Sequence, residues 1–134
     1  ARGQLSGLNT ATTKADLVMA VCESVAYAAR HCIEAANLTG RLMVCGGGSN
    51  SETWSQMVAD VIQQPLYKSP NLEVGARGAA IAAMTVAGVD FDTDEWVTPA
   101  GVIEPRANAA QHYDEGFVDY LETVTAARSL WNRL

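Results

Sequence analysis

Apolar residues recur at helical spacing along most of this chain, and two short apolar runs break that rhythm. From Lys14 to Ala36, the residues Leu17, Val21, Val25, Ala28, Cys32 and Ala36 trace one face, with Ala20, Ala29 and Ile33 beside it. That spacing predicts an amphipathic helix. Thr13 and Asp16 form a capping-box pair at its start, and Asn37 to Gly40 suits a left-handed stop. Glu23, Arg30 and Glu34 fall off the apolar face and read as solvated charge. Leu42, Met43, Val44 and Cys45 form an apolar run without alternation, the pattern of a strand covered on both faces. Beyond Gly46-Gly47-Gly48, the residues Trp54, Met57, Val58 and Val61 return to helical spacing up to the stop at Pro65.

The second half is less regular. Leu66 to Lys68, bounded by Pro65 and Pro70, predicts a short strand. A helix of small residues follows from about Ala76 to Ala87, with Gly88 as its stop. Gly78, Ala79, Ala82 and Ala83 allow another element to approach closely, either as tight packing or as the back wall of a ligand cleft. Val89 to Gly101 carries Asp90, Asp92, Asp94 and Glu95. Its spacing is near that of a calcium loop, but Glu95 and Gly101 stand where glycine and glutamate are required, so it reads as an exposed acidic loop. Tyr113, Phe117, Tyr120, Leu121, Val124 and Trp131 then mark a docking stripe on a last helix, Ala107 to Leu130. Four helices and two or three strands are expected. A sheet that small needs an edge or face completed by a second chain, a homodimer for instance, or by further sequence.

Composition narrows the function classes. The chain has 134 residues, 49% hydrophobic and 18% charged, which suits one globular domain with a real core. A net charge of −6 with scattered Lys and Arg argues against a nucleic-acid partner. No apolar run approaches membrane-spanning length and no signal peptide is visible, so neither a membrane partner nor export is expected. The start at Ala1, without methionine, suggests part of something longer. Cys22 and Cys32 stand about 15 Å apart on one predicted helix, too far for a disulfide. With Cys45 they read as free thiols, small core residues in a reducing, cytoplasmic compartment. His31 and His112 have no clustered ligands nearby, so no metal site is expected.

The candidate chemistry lies at Gly46-Gly47-Gly48. Three glycines cost backbone entropy, so the turn needs positive φ or close approach by another group. Ser49, Asn50 and Ser51 then offer N-caps. Free N–H groups at a helix start, with no side chains in the way, accept an anion or a nucleotide edge. The same turn also serves simply to let strand and helix pack closely, and the residues alone leave both readings open. Neither common phosphate motif fits. The dinucleotide fingerprint lacks its third glycine, at Ser51, and the P-loop lysine is absent.

Residues Gly46-Gly47-Gly48-Ser49, Ser51 and Trp54, followed by Glu73, Gly75-Ala76 and Gly78-Ala79-Ala80, resemble the C-terminal half of the FGGY carbohydrate kinases. So do Ala1-Arg2-Gly3 and Gly7-Leu8 ahead of a helix carrying Ala20 to Tyr27. The resemblance covers Ala1 to about Gly88 and the tail loosely. It implies an α/β fragment of the actin/hexokinase-like (ribonuclease H-like) ATPase fold, residues 1–134 forming the nucleotide-binding segment of an ATP-dependent sugar or polyol kinase. By that resemblance Gly46, Gly47 and Gly48 lie against the ribose and α-phosphate of ATP or ADP, and Ser49 and Ser51 border the adenine. Glycerol kinases carry Asn where Ser51 stands, so this chain looks more like pentulose kinases such as the xylulokinases. The catalytic aspartate and the loops for the β- and γ-phosphates and Mg²⁺ belong to the family's upstream half. No residue here matches them, so no catalytic or metal residue is expected. Asp60 reads as a surface residue or a local hydrogen-bond partner.

Overall fold

The computed structural model describes residues 3–70 and 73–131 of the chain, apart from the side chains of Thr93, Leu130 and Trp131. Ala1 and Arg2 of the family resemblance, and the Trp131 end of the expected stripe, lie outside it. The chain runs α1 (Lys14–Ala35), β1 (Leu42–Val44), α2 (Glu52–Ile62), β2 (Leu66–Lys68), α3 (Val74–Val86), α4 (Thr93–Val97), β3 (Gly101–Ile103) and α5 (Ala110–Trp131). Single 3₁₀ turns, Gly47–Asn50 and Ala107–Ala109, precede α2 and α5.

Local chemistry sets most of these boundaries. At the start of α1 the capping box is complete: Thr13 Oγ1 accepts from Asp16 N at 3.2 Å, and Asp16 Oδ2 accepts from Thr13 N at 2.8 Å. The helix ends before Asn37 (φ 48°), a residue that tolerates the left-handed region. Gln63, not Pro65, closes α2; it takes φ 58° and donates its N–H to the Ala59 carbonyl. The acidic loop contains a helix that its sequence concealed. Asp92 caps α4, its carboxylate accepting from Asp94 N and Glu95 N, and Asp94 and Glu95 sit where negative charge favours a helix start.

The sheet has order β1–β2–β3, parallel between β1 and β2 and antiparallel between β2 and β3. Helix α2 is the centre of the molecule, packed on α1, α5 and β3. Met57 and Val61 face Ala26, Tyr27, Tyr113 and Phe117, while Ala59 and Ile62 face Leu66 and the sheet. The expected aromatic stripe of α5 is thus a docking face: Tyr113 and Phe117 are buried, and Tyr27 packs against both rings and Tyr120. Burial first, then the nearby Glu23, pushes the Tyr27 phenol up to about 12. The ring fits because Gly116 has no side chain; a Cβ there would collide with the Tyr27 hydroxyl.

Five expectations need correction here. On α1 the covered positions are Cys22, Ala26, Ala29 and Ile33, whereas Val21 and Val25 are more than half exposed. The helix is apolar on two adjacent faces, and periodicity cannot say which one its neighbours cover. Strand β1 is covered on one face only: Leu42 and Val44 are half-buried, and Met43 is 41% exposed. Hence Cys45 is exposed and not a core residue; Cys32 is exposed too, Cys22 is half-buried, and all three are free thiols. Helix α3 has no buried residue among those described, and open space surrounds Gly75 and Gly78, so the tight packing expected there is not made by these elements. Arg30 is not simply solvated. Its guanidinium lies 4.3 Å from the Phe117 ring centre, donates to the Val61 carbonyl and pairs with Glu34 and Asp114.

Candidate functional site

Parallel pairing places Val44 beside Lys68, so the carboxyl ends of β1 and β2 lie together. Ser69 N donates to the Val44 carbonyl at 3.1 Å, which holds the two exits side by side. In open α/β sheets, ligands bind outside the carboxyl ends of parallel strands, and the three glycines stand at that position here.

Only Gly46 takes a left-handed φ, 83° with ψ −178°, a conformation essentially confined to glycine. Gly47 to Asn50 then wind as a 3₁₀ turn, with Ser49 N donating to the Gly46 carbonyl (3.1 Å) and Ser51 N to the Gly48 carbonyl (3.2 Å). A Cβ on Gly47 would meet nothing within 4 Å, and one on Gly48 would only touch the Trp54 indole. Gly47 and Gly48 are both exposed. Internal geometry therefore requires glycine at Gly46 alone; nothing among the described residues requires it at Gly47 or Gly48.

The serines have defined duties. Ser49 Oγ donates to the Gly46 carbonyl at 2.7 Å and holds the turn closed. Ser51 Oγ accepts from Trp54 N at 3.2 Å and is the N-cap of α2. A hydroxyl accepts and donates at once, so Ser51 keeps its own O–H for a further acceptor. Ser51→Ala is expected to cost about 1 kcal/mol of stability, the usual value of such a cap. Denaturant unfolding measures it, and an unchanged midpoint would contradict the capping role.

Further along α2, Asp60 is buried and held by Gln56, one turn earlier, and by Arg106, 46 residues away. Its Oδ1 accepts from Arg106 N (2.7 Å) and Gln56 Nε2 (3.0 Å). Its Oδ2 accepts from Arg106 Nε (2.8 Å) and Nη2 (2.6 Å). Burial pushes the carboxyl up, but the hydrogen bonds from Arg106 and Gln56 outweigh it and hold the group below the usual carboxylate range. Gln56 Nε2 also donates to the Glu104 carbonyl at 2.9 Å. The hydrogen-bonding half of the Asp60 expectation holds; the surface half does not, since the β3–α5 connection covers it.

Lys68, which sequence reading left unremarked, reaches the same end of the sheet. With Glu52, Gln56 and Glu104 it lines a polar cleft of about 410 Å³ beside the first turns of α2. Its place in the sheet, between Val44 of β1 and Gly101 of β3, brings it there. Among the described residues no three His, Cys, Asp or Glu side chains converge to hold a metal ion. No helix among the described residues is long and apolar enough to cross a membrane.

Residues 1–87, which include α1, the glycine turn and α2, match the model of the FGGY family of carbohydrate kinases, C-terminal domain. The chain belongs to the FGGY family. An erythritol kinase of Brucella abortus is 32% identical over all of this chain, which covers 27% of that protein. A xylulose kinase of Bacillus subtilis is 26% identical over 96% of the chain and 28% of its own length. Among solved structures, a xylulose kinase from Rhodospirillum rubrum superposes with a TM-score of 0.85 at 27% identity, covering 98% of this chain and 28% of that one. This FGGY chain thus spans about a quarter of the length of its relatives. Its mixed α/β arrangement is a part of their actin/hexokinase-like fold.

Proposed function

We propose that residues 1–134 are the C-terminal nucleotide-binding segment of an ATP-dependent sugar or polyol kinase acting in the cytoplasm. Gly46, Gly47 and Gly48 lie against the ribose and α-phosphate of the nucleotide, and Ser49 and Ser51 border its adenine. One observation carries this reading. The FGGY family match includes a glycine turn whose bare, exposed positions, Gly47 and Gly48, are not demanded by internal packing. The free N–H groups at the start of α2 favour a negatively charged ligand, in spite of the net charge of −6. Phosphoryl transfer works by positioning and charge neutralisation from both sides of a cleft. In this reading the chain supplies one side. The base that deprotonates the acceptor hydroxyl, and the groups for the β- and γ-phosphates and Mg²⁺, come from the rest of a protein of the relatives' length.

The test is ADP release from Mg·ATP with erythritol, xylulose and glycerol as acceptors. A protein of that length is expected to phosphorylate at least one polyol or pentulose, and the 134 residues alone to stay below about 1 s⁻¹, the low end for kinases. Nucleotide binding without transfer to any sugar or polyol would replace the kinase by a sensing module. No nucleotide binding at all would overturn both.

A further inference from the structure

The glycine turn is adjoined by a side-chain donor that none of its own elements uses. Trp54 is half-buried, its ring packed against the cluster around Tyr27, Met57 and Phe117. Its Nε1 lies 3.5 Å from the point a Cβ on Gly48 would occupy, so the polar edge of the indole lies at the turn. No acceptor among the described residues takes that N–H, and it is not a buried unsatisfied atom, so it opens to solvent beside exposed Gly48. An indole N–H is donor only. Its ring is fixed by packing, so the donor is held in place before any ligand arrives, and the ordering cost of recruiting it is small.

We infer that the Trp54 indole N–H is a ligand-binding group of the nucleotide site, donating to an oxygen of the nucleoside phosphate that lies along Gly47 and Gly48. The inference rests on the adenosine-site reading above and adds to it a side-chain donor from the first turn of the helix. It also gives a reason for glycine at the third position: the 3.5 Å gap admits a Cβ, but larger side chains there would cover the indole edge.

Two measurements on the intact protein decide it. The first is the ¹⁵N–¹H indole resonance of Trp54 during titration with Mg·ADP, assigned by elimination in Trp96→Phe, Trp131→Phe and like variants at every other tryptophan of that protein. It is expected to move downfield on saturation while that of Trp96, packed on Phe91 and Arg77, stays in place. The second is Trp54→Phe, which keeps an aromatic ring and removes the donor. The ADP dissociation constant is expected to rise about three- to tenfold, the effect of one neutral hydrogen bond, with kcat little changed. A Trp54 resonance that does not move at saturating ADP overturns the inference without needing any variant at Trp54 to fold. So does a folded Trp54→Phe protein that binds ADP at full affinity, because proximity alone can shift a resonance. In either case, if Gly47→Val still weakens ADP binding, the adenosine site survives and only the role of Trp54 falls. If ADP does not bind at all, both fall together.

Discussion

Asp60→Ala is expected to destabilise the fold by about 3 kcal/mol, a large effect for one residue distant from the glycine turn. The carboxylate is buried, with a side chain 0% exposed, and accepts from two side chains and one backbone N–H. Charge-assisted hydrogen bonds contribute about 1.5–3 kcal/mol each and do not add fully. The substitution removes all of them and unties α2 from the β3–α5 connection, 46 residues away in sequence. Arg106, whose side chain is 59% exposed, returns to water, which limits the loss. Arg106→Met is expected to destabilise as well, because it leaves a buried carboxylate with only Arg106 N and Gln56 as donors. Urea unfolding of both variants checks this. A wild-type midpoint for Asp60→Ala would show that the network contributes nothing.

The same pair sets a pH dependence. The folded pKa of Asp60 lies below its ordinary value of 3.8. A depressed carboxyl contributes stability that is present above the unfolded pKa and disappears as pH falls through the folded one. The stability gap between wild type and Asp60→Asn should therefore be constant from neutral pH down to about pH 5 and narrow at lower pH. A gap that widened on acidification would reverse the sign argued here.

The second large effect concerns Gly47. Gly46→Val would fail for internal reasons, since φ 83° with ψ −178° excludes a β-branched residue. At Gly47 no such obstacle exists: φ is not left-handed, and a Cβ meets nothing within 4 Å. Gly47→Val should therefore fold with a near-wild-type melting temperature. If adenosine lies on the turn, the added methyls occupy its place, and ATP and ADP affinity should fall at least tenfold, about 1.4 kcal/mol or more. Sugar binding in the absence of nucleotide should change little. Calorimetric titration of each ligand against wild type and variant separates the outcomes. A folded Gly47→Val protein that binds ATP normally would remove the adenosine site from this turn. A variant that loses stability and both ligands together would make the glycine a packing residue after all.

Much of the site was legible in the chain. The run from Leu42 to Val61 gave a strand, a bare turn, three candidate caps and an amphipathic helix, and Ser51 proved to be the cap. What remained hidden had no local signal. Nothing in Arg106 marks it as the partner of Asp60, because that pairing is made only when α2 meets the β3–α5 connection. Nothing in Lys68 places it at the exit of β1 until β2 aligns beside β1. The location of positive φ was also undetermined among three identical glycines, and only the backbone path assigns it to Gly46.

The sequence by itself determined four of the five described helices, the turn and the family, because caps, periodicity and glycine runs act within a few residues of one another. It also determined the docking stripe of α5, where Tyr113, Phe117 and Tyr120 leave a single apolar face. It did not determine which side of α1 is covered, since Val18, Val21 and Val25 compete with Cys22, Ala26 and Ile33 on equal hydrophobic terms. Tertiary structure decided that. Only the second set lies within reach of α2, α5 and the sheet, and burial is a property of the neighbour that arrives, not of the residue that waits for it. The same reason applies to β1, whose continuous apolar run reads as covered on both faces while the helices of these residues cover one.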